Sequence, residues 1–281
     1  MEIKLIAFDL DGTLLTTEKE LTDENLAALE RAAEAGIVLV PATGRFFGVI
    51  PENVRSLPWF RYYITINGAS VYDAREGRAL LRAEIPWRRA VEIMEYLDTL
   101  PVIYDCYMDD WGWMTQALHD RVEEFAPNRH SLAMLRDFRI PVPELKAHIT
   151  QLGHDVQKIQ MFFRDPALRL RSMEEMKLRF PDLAVTSSIP RNVELNSLDA
   201  QKGLALVRLA ELLGIDPAQT VAFGDDLNDV NMLRAAGIGV AMANAGPEAR
   251  AAADLITESC DESGVGRAIL RLLDEQGDLR R

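Results

Sequence analysis

Five carboxylates in two short stretches set the chemistry open to this 281-residue chain. Asp9 and Asp11 flank one leucine and precede Gly12; Asp225, Asp226 and Asp229 follow Gly224. Residues 3–8 form a nearly continuous apolar run, which reads as a strand buried on both faces. Side chains at i and i+2 leave the same side of an extended chain, so the strand presents Asp9 and Asp11 together as it ends. Like charges held close disfavour ionisation. A hard divalent cation, which prefers oxygen ligands, offsets that cost. An EF-hand loop does not fit, because the third acidic or amide position and the closing glutamate are missing. A plain turn remains the alternative for residues 9–12 taken alone.

Two further groups suit an anion. After the apolar run 37–40 come Thr43, Gly44 and Arg45, which offer a hydroxyl donor, close backbone approach and a guanidinium. Lys202 opens an amphipathic stretch, 204–213, that reads as a helix. The helix dipole disfavours a cation at that end, and a bound anion would account for it. The alternatives are a strand-to-helix turn for 43–45 and a surface lysine for Lys202.

These groups need elements to hold them. Apolar runs at 3–8, 37–40, 62–66, 220–223 and 238–242 alternate with helical stretches, among them one capped by Thr22 and ended by Gly36. This pattern predicts an α/β fold: a doubly wound, Rossmann-like, mostly parallel sheet, with ligands at the C-terminal strand ends. Between residues 84 and 191 the strand–acid–turn pattern is lost. That block reads as an inserted α+β cap domain, leaving 1–83 and 192–281 as the core, with 192–196 as a core strand. Hinges are expected at 80–84 and 188–192. His119, His130, His148 and His154 lie in the block without metal-like spacing and receive no role. Its aromatic stretch, 107–113, suits packing; the weaker reading is a specificity face over Tyr104 to Trp113, which replacing Trp111 and Trp113 would test.

The formal net charge of -13 argues against nucleic acid or an anionic membrane as partner. Cys106 and Cys260 make no disulfide framework. No apolar run is long enough to span a bilayer and no leader pattern is present, so a cytoplasmic location is expected. A monomer or weak homo-oligomer is expected.

Four segments in order, FDLDGTLL, ATGR, LDAQKG and GDDLNDVNML, each at a strand or helix boundary, resemble the motifs of the haloacid dehalogenase (HAD) superfamily of phosphohydrolases. The NGA at 67–69, the tail from 240 and the cap-sized insertion resemble its Cof-like, type IIB (C2-cap) branch. The resemblance implies Asp9 as nucleophile. It implies Asp11 as general acid and base, with its backbone carbonyl on Mg²⁺. Thr43, Gly44, Arg45, Lys202 and Asn228 are implied as phosphate contacts. Asp225 is implied as a metal ligand, and Asp229 as an acid supporting the metal or Lys202. The implied reaction is hydrolysis of a small phosphomonoester, typically a sugar phosphate, through an aspartyl-phosphate, with the cap choosing the leaving group. In that scheme Asp11 holds a proton that Asp9 does not. A phosphomutase on the same scaffold and a non-catalytic phospholigand-binding protein are the alternatives. Asp11 speaks against carbon–halogen hydrolysis, which has no leaving alcohol to protonate.

Overall fold

A computed structural model describes residues 2–126, 128–187 and 191–279. The chain divides into two units: one runs to Arg82 and resumes at Gln201, and the other spans Ala83–Ala200. In chain order the strands are β1 (Leu5–Phe8), β2 (Val38–Pro41), β3 (Tyr62–Thr65), β4 (Ser70–Asp73), β5 (Arg78–Arg82), β6 (Ile103–Met108), β7 (Trp111–Thr115), β8 (Ile140–Val142), β9 (Lys158–Phe162), β10 (Leu183–Thr186), β11 (Asn192–Ser197), β12 (Thr220–Gly224), β13 (Ile238–Ala241) and β14 (Leu255–Ile256).

The first unit is built on a parallel sheet of order β14-β13-β12-β1-β2. Its central strands are apolar throughout because both faces are covered. Ile6, Phe8, Val221 and Phe223 pack against Ala28 and Leu29 of the helix Asp23–Glu34 and Ile269 of the helix Gly264–Leu279. Leu5, Ala7 and Ala222 face Leu206 and Leu209 of the helix Lys202–Leu212. Each Leu, Ile or Phe buried this way stabilises the unit by roughly 1.5–3 kcal/mol. Thr22 caps the helix Asp23–Glu34 by accepting the Asn25 N–H, and Gly36, at φ +78°, follows its end. The register matters most for the site. Phe8 stands level with Phe223 on one side and Pro41 on the other. The residues that follow these three strands therefore emerge at one sheet edge.

The strand expected at 62–66 does not extend this sheet. β3, β4 and β5 form a separate antiparallel three-stranded sheet, and an isolated bridge, Ala42–Ile64, links it to the end of β2. The turn after β3 reverses the chain at once, which suits a hairpin; a parallel crossover needs a dozen or more residues.

The second unit carries a six-stranded sheet of order β10-β11-β9-β6-β7-β8, antiparallel except where β7 meets β8. Tyr104, Ile159, Val193 and Leu195 on one face pack with Ile93, Met94, Leu145 and Met176 from three helices, Trp87–Leu97, Leu145–Leu152 and Pro166–Arg179. The expected core strand 192–196 belongs here, as β11 between β10 and β9. The return to the first unit thus lies at 200/201, not 191/192. The physical reason is visible in its pattern: Val193 and Leu195 alternate with Asn192, Glu194 and Asn196. That is a period-2 strand covered by helices on one face, not a continuous apolar run. The chain crosses at 82/83, inside the expected segment 80–84. Of the expected segment 188–192, residues 188–190 lie outside the described residues and Asn192 is already in β11.

Cys106 and Cys260 are buried free thiols. Trp113 is committed to packing: its Nε1–H donates to the Met108 carbonyl at 2.9 Å and its ring lies against His148. Trp111 is exposed. The His119 ring lies 3.1 Å from the Arg136 carbonyl and His154 pairs with Asp109; the His130 side chain lies outside the description. Among the described residues no helix is long and apolar enough to cross a membrane.

Candidate active site

Asp9 directly follows β1, and its N–H donates to the Phe223 carbonyl at 3.0 Å, continuing the ladder one residue past the strand. Gly12 turns the chain away at φ +88°. A Cβ there would also lie 2.5 Å from Asp225 Oδ2, so this position excludes a side chain on two grounds. Thr13 Oγ1 donates to Asp225 Oδ1 at 2.7 Å, tying the first acidic turn to the one after β12.

Lys202 is fully buried at the start of its helix. Its ammonium donates to Asp9 Oδ1 at 2.7 Å and to Asp229 Oδ1 at 2.6 Å. The second oxygen of Asp229 accepts the N–H groups of Asp225 and Asp226, at 3.0 and 3.1 Å. Asp229 thus anchors both the lysine and the loop carrying Asp225. The packing needs Gly224, where a Cβ would stand 2.4 Å from Asp229 Cβ. Asp226 is exposed and accepts the Leu227 N–H, a capping role.

Asp9, Asp225 and Asp229 can each place one carboxylate oxygen within 4.8 Å of the others. Donors already hold both oxygens of Asp229 and one each of Asp9 and Asp225. That leaves Asp9 Oδ2 and Asp225 Oδ2 facing no hydrogen-bond donor among the described residues. Two hard oxygens with a third carboxylate behind them fit a divalent cation that completes its shell with backbone carbonyl, water and phosphate oxygens. Electrostatics agree. Burial pushes the Asp9 carboxyl up to about 8; Lys202 pulls it down, and Asp229 and Asp225 push it up again. Burial likewise raises Asp225 to about 6, against the Thr13 hydrogen bond. Burial works against the Lys202 ammonium, but Asp229 and then Asp9 outweigh it and raise its pKa.

The Asp11 side chain lies outside this group. Arg45 clasps it with Nε on Oδ2 at 2.8 Å and one terminal nitrogen on Oδ1 at 2.9 Å. Lys19 Nζ adds a contact to Oδ1 at 2.9 Å. Burial works to raise this carboxyl, but the Arg45 hydrogen bonds and charge, then Lys19, outweigh it and bring it down to about 2. The sequence reading expected Asp11 to hold the proton and Asp9 to be ionised with a metal on Asp9. The chain's own residues act the other way: Arg45 and Lys19 hold Asp11 down, while burial, Asp229 and Asp225 raise Asp9 against Lys202.

Thr43 is buried beyond β2, and Arg45 N–H donates to its Oγ1 at 3.2 Å. Gly44 packs against Asn67, whose Oδ1 a Cβ would meet at 3.0 Å. Asn228 Nδ2 donates to that same Oδ1 at 3.1 Å. Asn67 sits in a left-handed run, Ile66 at φ +54°, Asn67 at +57° and Gly68 at +96°. Backbone hydrogen bonds from Ile66 N–H to Arg45 and from Asn67 N–H to Thr43 pin that run. A β-branched residue at positive φ is a genuine outlier and marks stored strain. The structure therefore brings Thr43, Gly44, Asn67 and Asn228 together on one side, Asp9, Lys202, Asp225 and Asp229 beside β1, and Asp11 with Arg45.

Three participants carried no assigned role from sequence: Asn67, Lys19 and Asn244. The NGA after β3 was visible as a point of resemblance but not as a partner of Asn228. Asn244 Nδ2 donates to the Gly12 carbonyl at 2.8 Å while its Oδ1 accepts the Cys260 N–H at 2.9 Å. No local pattern reveals a bridge between positions so distant in sequence.

A family model described as haloacid dehalogenase-like hydrolase matches residues 6–269. The chain is 31% identical to the 5-amino-6-(5-phospho-D-ribitylamino)uracil phosphatase YcsE of Bacillus subtilis, covering 96% of this chain and 95% of that protein. It is 32% identical to the phosphatase YwpJ of the same organism, covering 96% and 100%. Among solved structures it is similar to a haloacid dehalogenase-like hydrolase from Bacteroides thetaiotaomicron, with TM-score 0.81, 29% identity and coverage of 96% and 100%.

Proposed function

Given that the chain belongs to the haloacid dehalogenase-like hydrolase family and is a phosphatase, we propose that it is a Mg²⁺-dependent phosphomonoester hydrolase that passes the phosphoryl group of a small metabolite to Asp9 and then to water. The observation that carries this reading is the buried Lys202 shared between Asp9 and Asp229, with Asp225 alongside. Burying a lysine among acids is costly unless each charge is used. Here it fixes the Asp9 carboxylate and places a positive charge where a phosphoryl group needs it.

Asp9 and Asp225 offer carboxylates to Mg²⁺, and the Asp11 carbonyl offers a third oxygen, with Asp229 holding the loop from behind. Bound Mg²⁺ supplies charge that offsets the repulsion between a carboxylate and a phosphate dianion. Asp9 attacks phosphorus as the bond to the ester oxygen breaks, so one hard step becomes two easier ones. The Thr43 hydroxyl and the second Asn228 N–H are donors for the equatorial oxygens. Asp11 passes a proton to the leaving oxygen, then takes one from the water that attacks the aspartyl-phosphate. To do so it must first be released from Arg45 and Lys19. The substrate of one relative is a phosphorylated ribityl compound; a phosphate ester of a sugar or sugar alcohol is the class we assign here.

Phosphate release from a panel of small phosphomonoesters, with and without Mg²⁺ and with Asp9→Asn as control, tests this. Metal-dependent release that the substitution abolishes is expected. An isomeric phosphate ester formed without free phosphate would replace hydrolysis by a mutase reaction. Tight ester binding without turnover would leave a binding protein.

A further inference from the structure

We propose that Asn244 is a positioning residue for the cation site: it sets the turn after β1 against the turn after β12, and so tunes the affinity of that site, without being a ligand itself. The proposal rests on the reading above that Asp9, Asp225 and the Asp11 carbonyl hold Mg²⁺.

The carrying observation is a bridge that skips a strand. In the sheet order β14-β13-β12-β1-β2, β13 is not next to β1. Yet residues 242–246, directly after β13, hold the chain beyond both β12 and β1. On the β12 side, Met242 N–H donates to the Gly224 carbonyl at 3.2 Å and Gly246 N–H to the Asp225 carbonyl at 2.9 Å. On the β1 side, Asn244 Nδ2 donates to the Gly12 carbonyl at 2.8 Å. One loop therefore grips both turns that carry the acids.

The carboxamide is fixed in its turn. Its Oδ1 accepts the Cys260 N–H at 2.9 Å, on the one-turn helix Cys260–Glu262. The next residue of that helix, Asp261, accepts the Thr17 N–H at 2.8 Å and the Thr17 hydroxyl at 2.6 Å. Ala243 N–H donates to the Glu258 carbonyl at 3.3 Å. Segment 258–261 thus backs both the loop after β13 and the chain that leaves the first acidic turn. With its acceptor on one backbone group and a donor on another, the asparagine has one orientation that serves both. Asn244 is exposed, and a hydrogen bond open to water adds little to stability.

The Gly12 carbonyl is where such a hold acts on the site. A glycine at φ +88° has wide backbone freedom, so its peptide needs an outside restraint. The Asp9 carbonyl accepts the Leu14 N–H at 3.2 Å and the Leu10 carbonyl the Leu15 N–H at 2.8 Å. The Asp11 carbonyl comes between those of Leu10 and Gly12, and the Asn244 bond completes the hold on either side of it. Thr13, the next residue, reaches Asp225 Oδ1 at 2.7 Å. A shift of this turn would move the Asp11 carbonyl and the Thr13 hydroxyl together. Groups that orient ligands from behind alter metal affinity by about 10- to 100-fold when removed.

The test compares wild type with Asn244→Ala. Mn²⁺ is titrated into metal-free protein and followed by the paramagnetic resonance signal of the free ion, and Mg²⁺ is read by competition. Asn244→Ala is expected to weaken binding of both ions about 10-fold, while the Tm of the EDTA-treated protein falls by no more than about 3 °C. In phosphate release, the Mg²⁺ concentration that gives half activity should rise by the same factor, with the ester KM at saturating Mg²⁺ held within about 2-fold. Hydrogen exchange in metal-free protein should quicken at amides 13–15 and stay the same in β1. Unchanged metal affinity overturns the proposal; a fall in Tm without it makes Asn244 a structural tie. A raised ester KM at saturating Mg²⁺ overturns it too, because Asn244 would then touch the substrate. Unchanged exchange at 13–15 overturns the link through the Gly12 turn. Wild type that binds the ions but hydrolyses no ester removes the hydrolase reading alone, and the affinity ratio still decides the role of Asn244. Wild type that binds neither ion removes the proposal.

Discussion

Lys202 Nζ lies 2.7 Å from Asp9 Oδ1 although the two residues are 193 positions apart, and it contacts Asp229 at nearly the same distance. This buried ammonium joins the first strand end to the loop after β12, so position 202 should be sensitive to shape as well as charge. Lys202→Met leaves two buried carboxylates unpaired and is expected to lose about 3–5 kcal/mol of stability in the metal-free protein. Lys202→Arg keeps the charge but must fit a planar fork into a space built for a point charge. We expect a folded protein with kcat down at least about 100-fold. Asp9→Asn should fold and lose at least about 1,000-fold in kcat if Asp9 is the nucleophile. Chemical denaturation and steady-state phosphate release check these outcomes. A fully active Asp9→Asn protein would remove Asp9 from the chemistry.

Cation binding should depend on pH in a defined direction. Asp9 is pushed up to about 8 and Asp225 to about 6, burial being the main cause in each case. Both must be ionised to hold Mg²⁺, so affinity should rise between pH 6 and 8 and binding near pH 7 should release protons. The sign for stability follows from linkage. The folded pKa of Asp9 is above its ordinary value of 3.8, so its contribution to stability is full below about pH 4 and is lost as pH rises through about 8. Melting curves in EDTA and in Mg²⁺ at pH 6 and 8, with calorimetry in buffers of different ionisation enthalpy, measure both effects. The Mg²⁺-induced gain in Tm should be larger at pH 8. Equal gains at the two pH values, with no proton release, would count against a raised Asp9.

Gly68 carries a close approach that no other residue can make. At φ +96° a Cβ would stand 2.4 Å from both C and O of Gln201 and 2.8 Å from the Lys202 N. Those are backbone atoms and cannot swing aside. Gly68→Ala is therefore expected to cost about 2–4 kcal/mol and to disturb the start of the Lys202 helix. Gly77, also at positive φ but with nothing within 4 Å of a Cβ, serves as the comparison. Gly77→Ala should cost about 1 kcal/mol from backbone strain alone. A Tm loss no greater at position 68 than at 77 would contradict the packing argument.

Much of this architecture is legible in the chain because buried parallel strands write themselves as unbroken apolar runs. β1 and β12 do so, and each ends in acids. β11 is the instructive error. Its position before Lys202 suggested the core, while its alternation of Val193 and Leu195 with polar residues already described an antiparallel strand with one apolar and one polar face, both buried. How the chain's own residues shift Asp9 and Asp11 was not legible, because it depends on where Lys19 and Arg45 point and on how deeply Asp9 is buried. Asn244 and Asn67 act through contacts across long sequence separations, with Gly12 and Asn228. Sequence spacing holds no record of such contacts until the fold is built.

Asn67 offers a final separation of positioning from direct contact. Its Oδ1 accepts from Asn228 Nδ2 at 3.1 Å, and its backbone N–H donates to the Thr43 carbonyl at 3.0 Å. The second contact is made by the backbone and does not depend on the side chain; the first does. Asn67→Ala removes the carboxamide acceptor and also places Ala at φ +57°, so a loss would mix strain with chemistry. Asn67→Gly removes the carboxamide and relieves the strain. If Asn67 serves to orient Asn228, then Asn67→Gly should raise KM for phosphomonoesters about 5- to 10-fold, about one hydrogen bond's worth, while Tm holds or rises. Asn228→Ala should raise KM at least as much, and the double variant no further, because both remove one unit. Additive losses in the double variant would show that the two asparagines act on the substrate separately.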